Sequence, residues 1–289
     1  MSGIRHETIE ANGLAFHVAR AGDGPLMLFL HGFPEYWAMW RPLLEHFGAR
    51  GRCAAAPDLR GYNLSGKPAA VEAYRAKHLV ADVLALAAHH TQEKFVLVGH
   101  DWGGAVAWAA AIAHPERLSK LVMLNSPHPY VFWRELCGNP AQQEASAYMN
   151  FFRLPKAERV LAENGYARLR AWFPGADAAY LEGLAEAWSQ PGALTGGLNY
   201  YRASPLYPST PEDAGARKLA LRPEDFVVRV PTLVLWGMRD AALLPGCLEG
   251  LASVVPDLKL VRFPEATHWI AREETAAVIR EIEAFTIAA

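Results

Sequence analysis

The sequence has few cysteines and almost no net charge, and each shortage excludes a class of protein. Its 289 residues include three cysteines without C-x-x-C spacing, so we expect neither a disulfide framework nor a zinc site. Such cysteines suit a reducing compartment, and the cytoplasm is the predicted location. The net charge is −2 with lysine and arginine scattered, which argues against nucleic acid or an anionic membrane surface as a partner.

Long apolar runs and cofactor-binding motifs are missing as well. No run approaches the roughly 20 residues of a membrane span, and the charged N-terminal stretch has no apolar signal-peptide region. No G-x-G-x-x-G follows the first predicted strand and no G-x-x-x-x-G-K-S/T occurs, which disfavours a nicotinamide or nucleotide enzyme. The 11 histidines form no ligand-spaced cluster, so we expect no metal and no other cofactor. The absence of G-x-S-x-G disfavours a serine esterase.

What the sequence does contain is a hydrophobic share of 52% and an alternation of strand-like and helical stretches. Asn12-Gly13 predicts a hairpin within residues 4–20, and residues 80–89 and 105–114 are predicted helices. The alternation is typical of an α/β fold with a mostly parallel sheet and helices on both faces. Predicted buried strands are Leu26–Leu30, a run from Cys53, Phe95–Val98, and runs that begin at Leu121, Thr232 and Leu258.

The rhythm changes between about His128 and Arg222. Strand-like runs vanish there, while helical stretches, aromatic residues and prolines take over. This pattern predicts an all-helical cap inserted between two strands of the sheet. The predicted domains are residues 1–127 as the first part of the core, residues 128–222 as the cap, and residues 223–289 as the second part of the core.

The stretch Gly99-His100-Asp101-Trp102-Gly103 places an aspartate at a sharp corner between a strand and a helix. Corners of this form usually present serine, which attacks carbonyl carbon. At a saturated carbon, serine would leave an ether that water does not cleave, whereas a carboxylate leaves an ester whose carbonyl belongs to the enzyme. Asp101 therefore indicates displacement at saturated carbon, as in the opening of an epoxide or the displacement of halide from an alkyl halide. The alternative role of Asp101 is to cap the helix that begins near Gly103.

Two more candidate residues follow strands, in the chain order nucleophile, acid, histidine. Asp240 comes after the strand from Thr232, and His268 comes after the strand from Leu258. Because the carboxyl ends of parallel strands meet at one sheet edge, we expect both to lie near Asp101. Asp240 would orient His268, and His268 would activate the water that opens the ester.

The stretch LFLHGFPEYWAMW supplies a further loop at the same edge. Its turn is rigidified by Pro34 and would aim the Phe33 backbone N–H at the oxyanion of ester hydrolysis, together with the N–H of Trp102. Aromatic residues near these loops also suit an apolar substrate wall, although those in the cap equally suit its own core. The candidate wall residues are Trp37, Trp102, Phe152 and Trp269.

With His31-Gly32-Phe33-Pro34-Glu35, Gly99-His100-Asp101-Trp102-Gly103-Gly104, Asp240 and His268, the chain resembles an α/β-hydrolase over essentially its whole length. It is most similar to the soluble epoxide hydrolase branch of that superfamily. The resemblance implies a cofactor-independent ether-bond hydrolase with a catalytic triad, which converts a small hydrophobic epoxide and water to a vicinal diol.

The resemblance also points to two tyrosines in the cap. In that family two cap tyrosines donate to the epoxide oxygen, and the matching positions are Tyr148 in YMNFFRLPKAE and Tyr201 in LNYYR. A phenol with a pKa near 10 suits this role, because the alkoxide formed is much more basic. Neighbours on a helix point about 100° apart, so one of Tyr200 and Tyr201 should face the cavity, and the sequence leaves open which.

Two other functions share parts of this pattern. A haloalkane dehalogenase has the same aspartate but needs two N–H donors for the halide. Trp102 supplies the first, and the second is unproven because Phe33 stands after His31-Gly32 where asparagine is typical. An enzyme resembling the fluoroacetate dehalogenases would need arginine in place of Trp102. A ligand-binding relative without activity is disfavoured, because the triad residues and both tyrosines are present.

Overall fold

The computed structural model describes residues 3–287, so residues 1–2 and 288–289 of the predicted domains lie outside it. The described strands are β1 (Arg5–Ala11), β2 (Leu14–Ala21), β3 (Leu26–Leu30), β4 (Cys53–Pro57), β5 (Phe95–His100), β6 (Leu118–Leu124), β7 (Thr232–Gly237) and β8 (Leu258–Phe263). They form one sheet in the order β1-β2-β4-β3-β5-β6-β7-β8.

The sheet is antiparallel at one end and parallel elsewhere. β1 and β2 form a hairpin whose turn residues, Asn12 and Gly13, both have positive φ, as a two-residue turn of this kind requires. β2 pairs antiparallel with β4, and every later pair in the order is parallel. The predicted hairpin and the predicted mostly parallel sheet are therefore confirmed.

The central strands are buried because apolar side chains cover both faces of the sheet. All residues of β3, β5 and β7 are buried. Alternate side chains of one strand enter different clusters, since Leu28 packs with Trp108 while Phe29 packs with Trp40. The prediction that the strand from Leu258 is buried was wrong. β8 lies at the edge with a neighbour on one side, and none of its six residues is buried.

The helices connect the strands and cover the sheet. Those within the first part of the core are α1 (Arg41–Ala49), α2 (Ala76–His90) and α3 (Asp101–Ala113). Between β6 and β7 lie α4 (Pro129–Gly138), α5 (Pro140–Ala145), α6 (Tyr148–Phe152), α7 (Ala157–Arg170), α8 (Ala178–Ser189) and α9 (Ala193–Ala203). α7 is interrupted at 163–166, where the backbone is not helical. After β8 come α10 (Ile270–Glu273) and α11 (Thr275–Ile287).

The register of the parallel strands brings several loops to one edge. Leu30 of β3 pairs with Gly99 of β5, so the loop after β3 and the corner after β5 are neighbours. Gly237 of β7 pairs with Phe263 of β8, which makes the loops after those strands neighbours too. Because all four strands run in the same direction, these loops share the carboxyl edge of the sheet. Among residues 3–287, no helix has the length and apolar character needed to cross a membrane.

Candidate active site

Asp101 lies at the corner between β5 and α3 and is the first residue of that helix. Its φ is +50°, in the left-handed region that residues other than glycine rarely adopt. The corner also needs glycine, because a Cβ at Gly103 would collide with the carbonyl oxygen of Leu30. The close packing of α3 on β3 thus presents the Asp101 carboxylate at the carboxyl edge of the sheet.

The Asp101 carboxylate accepts hydrogen bonds from two backbone amides. The Phe33 N–H donates to Asp101 Oδ1 over 2.7 Å, and the Trp102 backbone N–H donates to the same carboxylate. The loop after β3 can approach this closely because Gly32 has no Cβ, which would otherwise collide with Oδ1. The other oxygen, Oδ2, faces His268, whose Nε2 is 3.7 Å away.

His268 is held by an acid that is itself fully bonded. Its Nδ1 lies 2.7 Å from Asp240 Oδ2, and that oxygen also accepts a bond of 2.8 Å from the Asn125 side-chain amide. Asp240 Oδ1 accepts bonds of 2.8 Å and 2.9 Å from the backbone amides of Ala242 and Leu243. Because both of its oxygens are bonded, the Asp240 carboxylate keeps a proton on His268 Nδ1. It also orients His268 Nε2 toward the Asp101 carboxylate.

These distances couple the charges of the three groups. Burial by itself lowers the pKa of His268, but the carboxylates of Asp240 and Asp101 outweigh it and raise that pKa to about 9. Burial raises the pKa of Asp240, yet His268 outweighs this effect and the net shift is downward. For Asp101 burial predominates, so its pKa is raised. The two carboxylates thus favour the protonated form of the imidazole in the free protein.

Two tyrosines from the helices between β6 and β7 face Asp101. Tyr148 of α6 and Tyr201 of α9 line the same space as Asp101, and their ring centroids are 6.1 Å apart. The Trp102 side chain hydrogen bonds to the Tyr201 hydroxyl. Because an indole N–H can only donate, the Tyr201 oxygen accepts this bond and its own O–H proton is left for another acceptor. Tyr200 points elsewhere, since its hydroxyl donates to the Arg60 carbonyl oxygen over 2.9 Å.

A cavity of about 490 Å³, called here the catalytic cavity, opens at these groups. A smaller pocket of about 80 Å³, called the side pocket, adjoins it and shares Asp101, Tyr148 and Tyr201 with it. The volume of the catalytic cavity lies within the range of small-molecule sites. Its lining includes Phe33, Asp101, Tyr148, Trp172, Tyr201, Arg239, Asp240, Thr267, His268 and Trp269.

The four predicted wall residues have different locations. Trp269 lines the catalytic cavity and Trp102 lines the side pocket. Phe152 is buried behind the tyrosines, with its ring centroid 4.9 Å from that of Tyr201, so it supports that ring. The prediction for Trp37 is wrong. Its ring packs 4.9 Å from the ring of His6, in the cluster on the other face of the sheet, because the chain after the β3 loop turns back under the strands.

A third acid, the buried Glu35, lies next to this site and was not among the predicted residues. The Tyr180 hydroxyl of α8 donates to Glu35 Oε1, and Glu35 Oε2 is 3.5 Å from His100 Nδ1. His100 Nε2 must carry a proton, because its partner at 2.9 Å is the His268 carbonyl oxygen. Burial raises the pKa of Glu35 to about 7 and lowers that of His100 to about 3. A glutamate within an otherwise apolar stretch was the signal for it.

Asn125 is the other residue that was missed. It follows β6, and besides its bond to Asp240 its Oδ1 accepts the Gly237 N–H over 2.8 Å. It thereby ties the loop after β6 to the loop that carries the acid. In the described part of the chain, no group of three or more His, Cys, Asp or Glu side chains could hold a metal ion.

The sequence was compared with models of protein families and with known proteins. Residues 25–275 match the family model of the α/β hydrolase fold. The chain is 39% identical over 290 residues to the AB hydrolase superfamily protein YfhM of Bacillus subtilis (strain 168), and the match covers 96% of each. It is 35% identical over 292 residues to epoxide hydrolase 4 of Mus musculus, a match that covers 96% of this chain and 77% of the mouse protein.

Solved structures with the same architecture are also similar in sequence. An epoxide hydrolase of Bacillus megaterium, in complex with an inhibitor, superposes with a TM-score of 0.89 at 34% identity, covering 97% of this chain and 99% of that one. An epoxide hydrolase of the α/β-hydrolase superfamily, from metagenomes of hot environments, has a TM-score of 0.90 at 35% identity and covers all of both chains.

Proposed function

The chain belongs to the α/β-hydrolase fold family and is an epoxide hydrolase, and we propose that it opens a hydrophobic epoxide through a covalent ester on Asp101. One observation carries the proposed mechanism. A carboxylate sits at the strand-to-helix corner with one oxygen on the Phe33 backbone amide and the other 3.7 Å from the His268 imidazole. This arrangement suits attack by one oxygen and later hydrolysis at the carbonyl formed by the other.

The proposed first step uses both sides of the catalytic cavity. Tyr148 and Tyr201 hold the epoxide oxygen by their O–H groups while Asp101 Oδ2 attacks one ring carbon. A carbon–oxygen bond to Oδ2 forms as the carbon–oxygen bond of the epoxide breaks, and the alkoxide takes a proton from a tyrosine. Burial raises the pKa of both tyrosines well above the ordinary value, so their protons are in place before the ring opens.

Ester formation prepares the histidine for the second step. The raised pKa of His268 depends partly on the negative charge of Asp101, and the ester has no such charge. The imidazole therefore loses its proton more readily once Asp101 is alkylated. The proton that the imidazole releases restores the tyrosine that protonated the alkoxide, and the neutral Nε2 becomes available as a base.

In the proposed second step, water in the catalytic cavity attacks the Asp101 carbonyl carbon and gives its proton to His268 Nε2. Asp240 stabilises the resulting imidazolium through Nδ1. Negative charge develops on Oδ1, which already accepts a bond from the Phe33 amide, and the Trp102 amide donates to the same carboxyl group, so both donors are in place to stabilise it. Collapse of this intermediate breaks the ester carbon–oxygen bond, and the leaving oxygen takes the proton of the newly formed carboxyl group, which releases the vicinal diol and restores the carboxylate.

The donor pattern supports an epoxide rather than a halide as the leaving group. A halide leaves unprotonated and needs free N–H donors, whereas the Trp102 indole is already engaged with Tyr201. Two phenols beside the carboxylate suit a leaving oxygen that must be protonated. The substrates of the proposed reaction are thus a small hydrophobic epoxide, which reacts in the first step, and water, which reacts in the second.

The domain division and the cellular location are proposals on the same footing. We take residues 128–222 as a cap, supported by the six helices described between β6 and β7, and residues 1–127 and 223–289 as the core. We place the protein in the cytoplasm, because Cys53, Cys137 and Cys247 are all free thiols, as expected in a reducing compartment.

A paired assay tests this function. The purified protein is incubated with aryl and alkyl epoxides, and diol is measured by chromatography, while a parallel series with haloalkanes is followed by halide release. We expect diol from epoxides and no halide release. Halide release without diol would overturn the proposal in favour of a dehalogenase.

A further inference from the structure

The side chain of Gln142, on α5, reaches from the helices between β6 and β7 to the loop after β7, and it is fully buried. Its Nε2 donates to the Ala242 carbonyl oxygen over 2.8 Å, and its Oε1 accepts from the Leu244 backbone amide over 2.9 Å. Two further bonds, from Nε2 to Ser146 Oγ over 2.8 Å and from Cys247 Sγ to Oε1 over 3.5 Å, use the remaining capacity of the amide. A buried amide that is bonded in every direction is fixed in its orientation.

The backbone that Gln142 holds is the same backbone that holds Asp240. One peptide unit contains both the Ala242 carbonyl group and the Leu243 N–H. Its carbonyl oxygen accepts from Gln142, and its N–H donates to Asp240 Oδ1 over 2.9 Å. Because a peptide unit is planar, fixing its carbonyl oxygen also fixes the direction of its N–H. Gln142 therefore sets the direction in which this N–H meets the Asp240 carboxylate.

The two oxygens of Asp240 depend on different partners. Oδ2 lies 2.7 Å from His268 Nδ1 and also accepts from the Asn125 side chain. Oδ1 is held by the backbone amides of Ala242 and Leu243. If these amides turn away, the carboxylate is free to rotate, and Oδ2 no longer keeps its place opposite Nδ1.

A second side chain holds the same loop, but further from the acid. Arg134 of α4 donates to the carbonyl oxygens of Gly246 and Glu249, over 3.3 Å and 2.9 Å. Arg134 thus anchors the end of the loop, whereas Gln142 anchors the part that contacts Asp240. Gln142 lines neither the catalytic cavity nor the side pocket, so any effect on the reaction must pass through other residues.

We propose that Gln142 is a positioning residue for hydrolysis of the ester. By fixing the peptide unit after Ala242, it keeps Asp240 bonded to His268. The inference rests on the proposed function, in which His268 activates the water of the second step. The first step uses Asp101 and the two cap tyrosines and needs no proton transfer at the imidazole. Loss of the Gln142 amide should therefore slow the second step selectively.

Gln142→Met tests this role, because methionine keeps the length of the side chain and removes its hydrogen bonds. Gln142→Asn is a second variant if the first does not fold, since its shorter amide cannot reach Ala242 and Leu244 together. Gln143→Met is the matched control, at a half-buried neighbour on the same helix. Ser146→Ala is a further control, which removes one bond of Gln142 and keeps both of its bonds to the loop.

Rapid quenching followed by intact-mass measurement gives the rates at which the ester forms and decays during a single turnover of phenyloxirane. We expect Gln142→Met to slow the decay of the ester about tenfold, with less than about twofold change in its formation, because a misplaced group costs rate in the step that uses it. Both controls should keep the wild-type rates of both steps. Equal slowing of formation and decay in a folded variant, or a wild-type rate of decay, would overturn the inference.

Proton NMR separates this inference from the proposed function, because it requires no turnover. The His268 Nδ1–H donates over 2.7 Å to a carboxylate and should give a far-downfield resonance, assigned by its loss in His268→Gln. In Gln142→Met this resonance should move upfield or broaden, and in both controls it should stay in place. That result supports the positioning role even if the wild type forms no ester, in which case the proposed function fails instead. An unchanged resonance in Gln142→Met would overturn the inference and leave the proposed function standing.

Discussion

The sheet side and the cap side of the catalytic cavity hold their groups in different ways. On the sheet side, Asp101 and Asp240 are fixed by hydrogen bonds of 2.7–2.9 Å from backbone amides and neighbouring side chains. On the cap side, Tyr201 is fixed mainly by rings, with the centroids of Phe152, Trp102 and Phe33 at 4.9, 5.0 and 5.6 Å. Buried charges need bonded partners, whereas a neutral phenol can be positioned by packing. The difference teaches that two functions can be removed separately by mutation. One is the proposed chemistry of the charged groups on the sheet side, and the other is the proposed binding of the epoxide oxygen by the tyrosines on the cap side.

The largest effect should come from the sheet side. Asp101→Ala removes the proposed nucleophile, and we expect the rate of diol formation to fall by roughly 10⁴-fold or more, because no remaining group can form the ester. Initial rates on a single epoxide measure this loss. Asp177→Ala, which alters an exposed helix cap on α8, is the control and should keep the wild-type rate. Substantial activity in Asp101→Ala would mean that water attacks the epoxide directly.

On the cap side, losing both donors should nearly match that effect. Tyr148→Phe with Tyr201→Phe should abolish epoxide opening, and each single change should cost roughly 10²–10⁴-fold in kcat. Tyr200→Phe is the matched control on the same helix. It should keep kcat on a terminal epoxide and lose about 1 kcal/mol of stability, because only the bond to the Arg60 carbonyl disappears. Wild-type rates in the double variant would remove the cap from the mechanism.

The smallest effect concerns Glu35, which joins the two sides through Tyr180. Its pKa is about 7 in the folded protein against an ordinary value of 4.5, so between these values the folded state holds a proton that the unfolded state has lost. Stability should therefore fall as the pH rises from 4.5 to 7.

In Glu35→Gln, the loss of unfolding free energy between pH 4.5 and 7 should be smaller than in the wild type by on the order of 1–3 kcal/mol. Denaturant unfolding at several pH values measures this difference. The amide can still accept from Tyr180, so the local structure should persist. Glu144→Gln, at an exposed position, is the control. An unchanged decline in Glu35→Gln would show that other groups cause it.

The features that could be predicted from the sequence are those set by short local patterns on the sheet side. The strand Leu26–Leu30 has the predicted bounds and the strand Thr232–Gly237 begins where predicted, because a short apolar run between turn residues leaves little choice. The strand ends then bring Asp101, Asp240 and His268 together without any further information. The fold class was predicted from these patterns, whereas the family and the epoxide hydrolase function were predicted from the resemblance of the motifs to the soluble epoxide hydrolases.

The missed features depend on contacts between distant segments. Asn125 acts on Asp240 across 115 positions, and Glu35 meets Tyr180 across 145, so neither pattern is visible locally. Trp37 was misplaced because a residue beyond a turn can face either side of the sheet. The choice between Tyr200 and Tyr201 likewise needed the structure, in which Tyr201 lines the catalytic cavity while the Tyr200 hydroxyl donates to the Arg60 carbonyl oxygen.

The central claim is that Asp101 forms an ester that His268 helps water to open. Intact-mass measurement of His268→Gln after incubation with an epoxide tests it most directly. We predict a stable adduct that adds the whole mass of the epoxide and maps to Asp101 after proteolysis, and no adduct in the double variant His268→Gln/Asp101→Ala. Diol formation by His268→Gln without any adduct, or an adduct on another residue, would contradict the account.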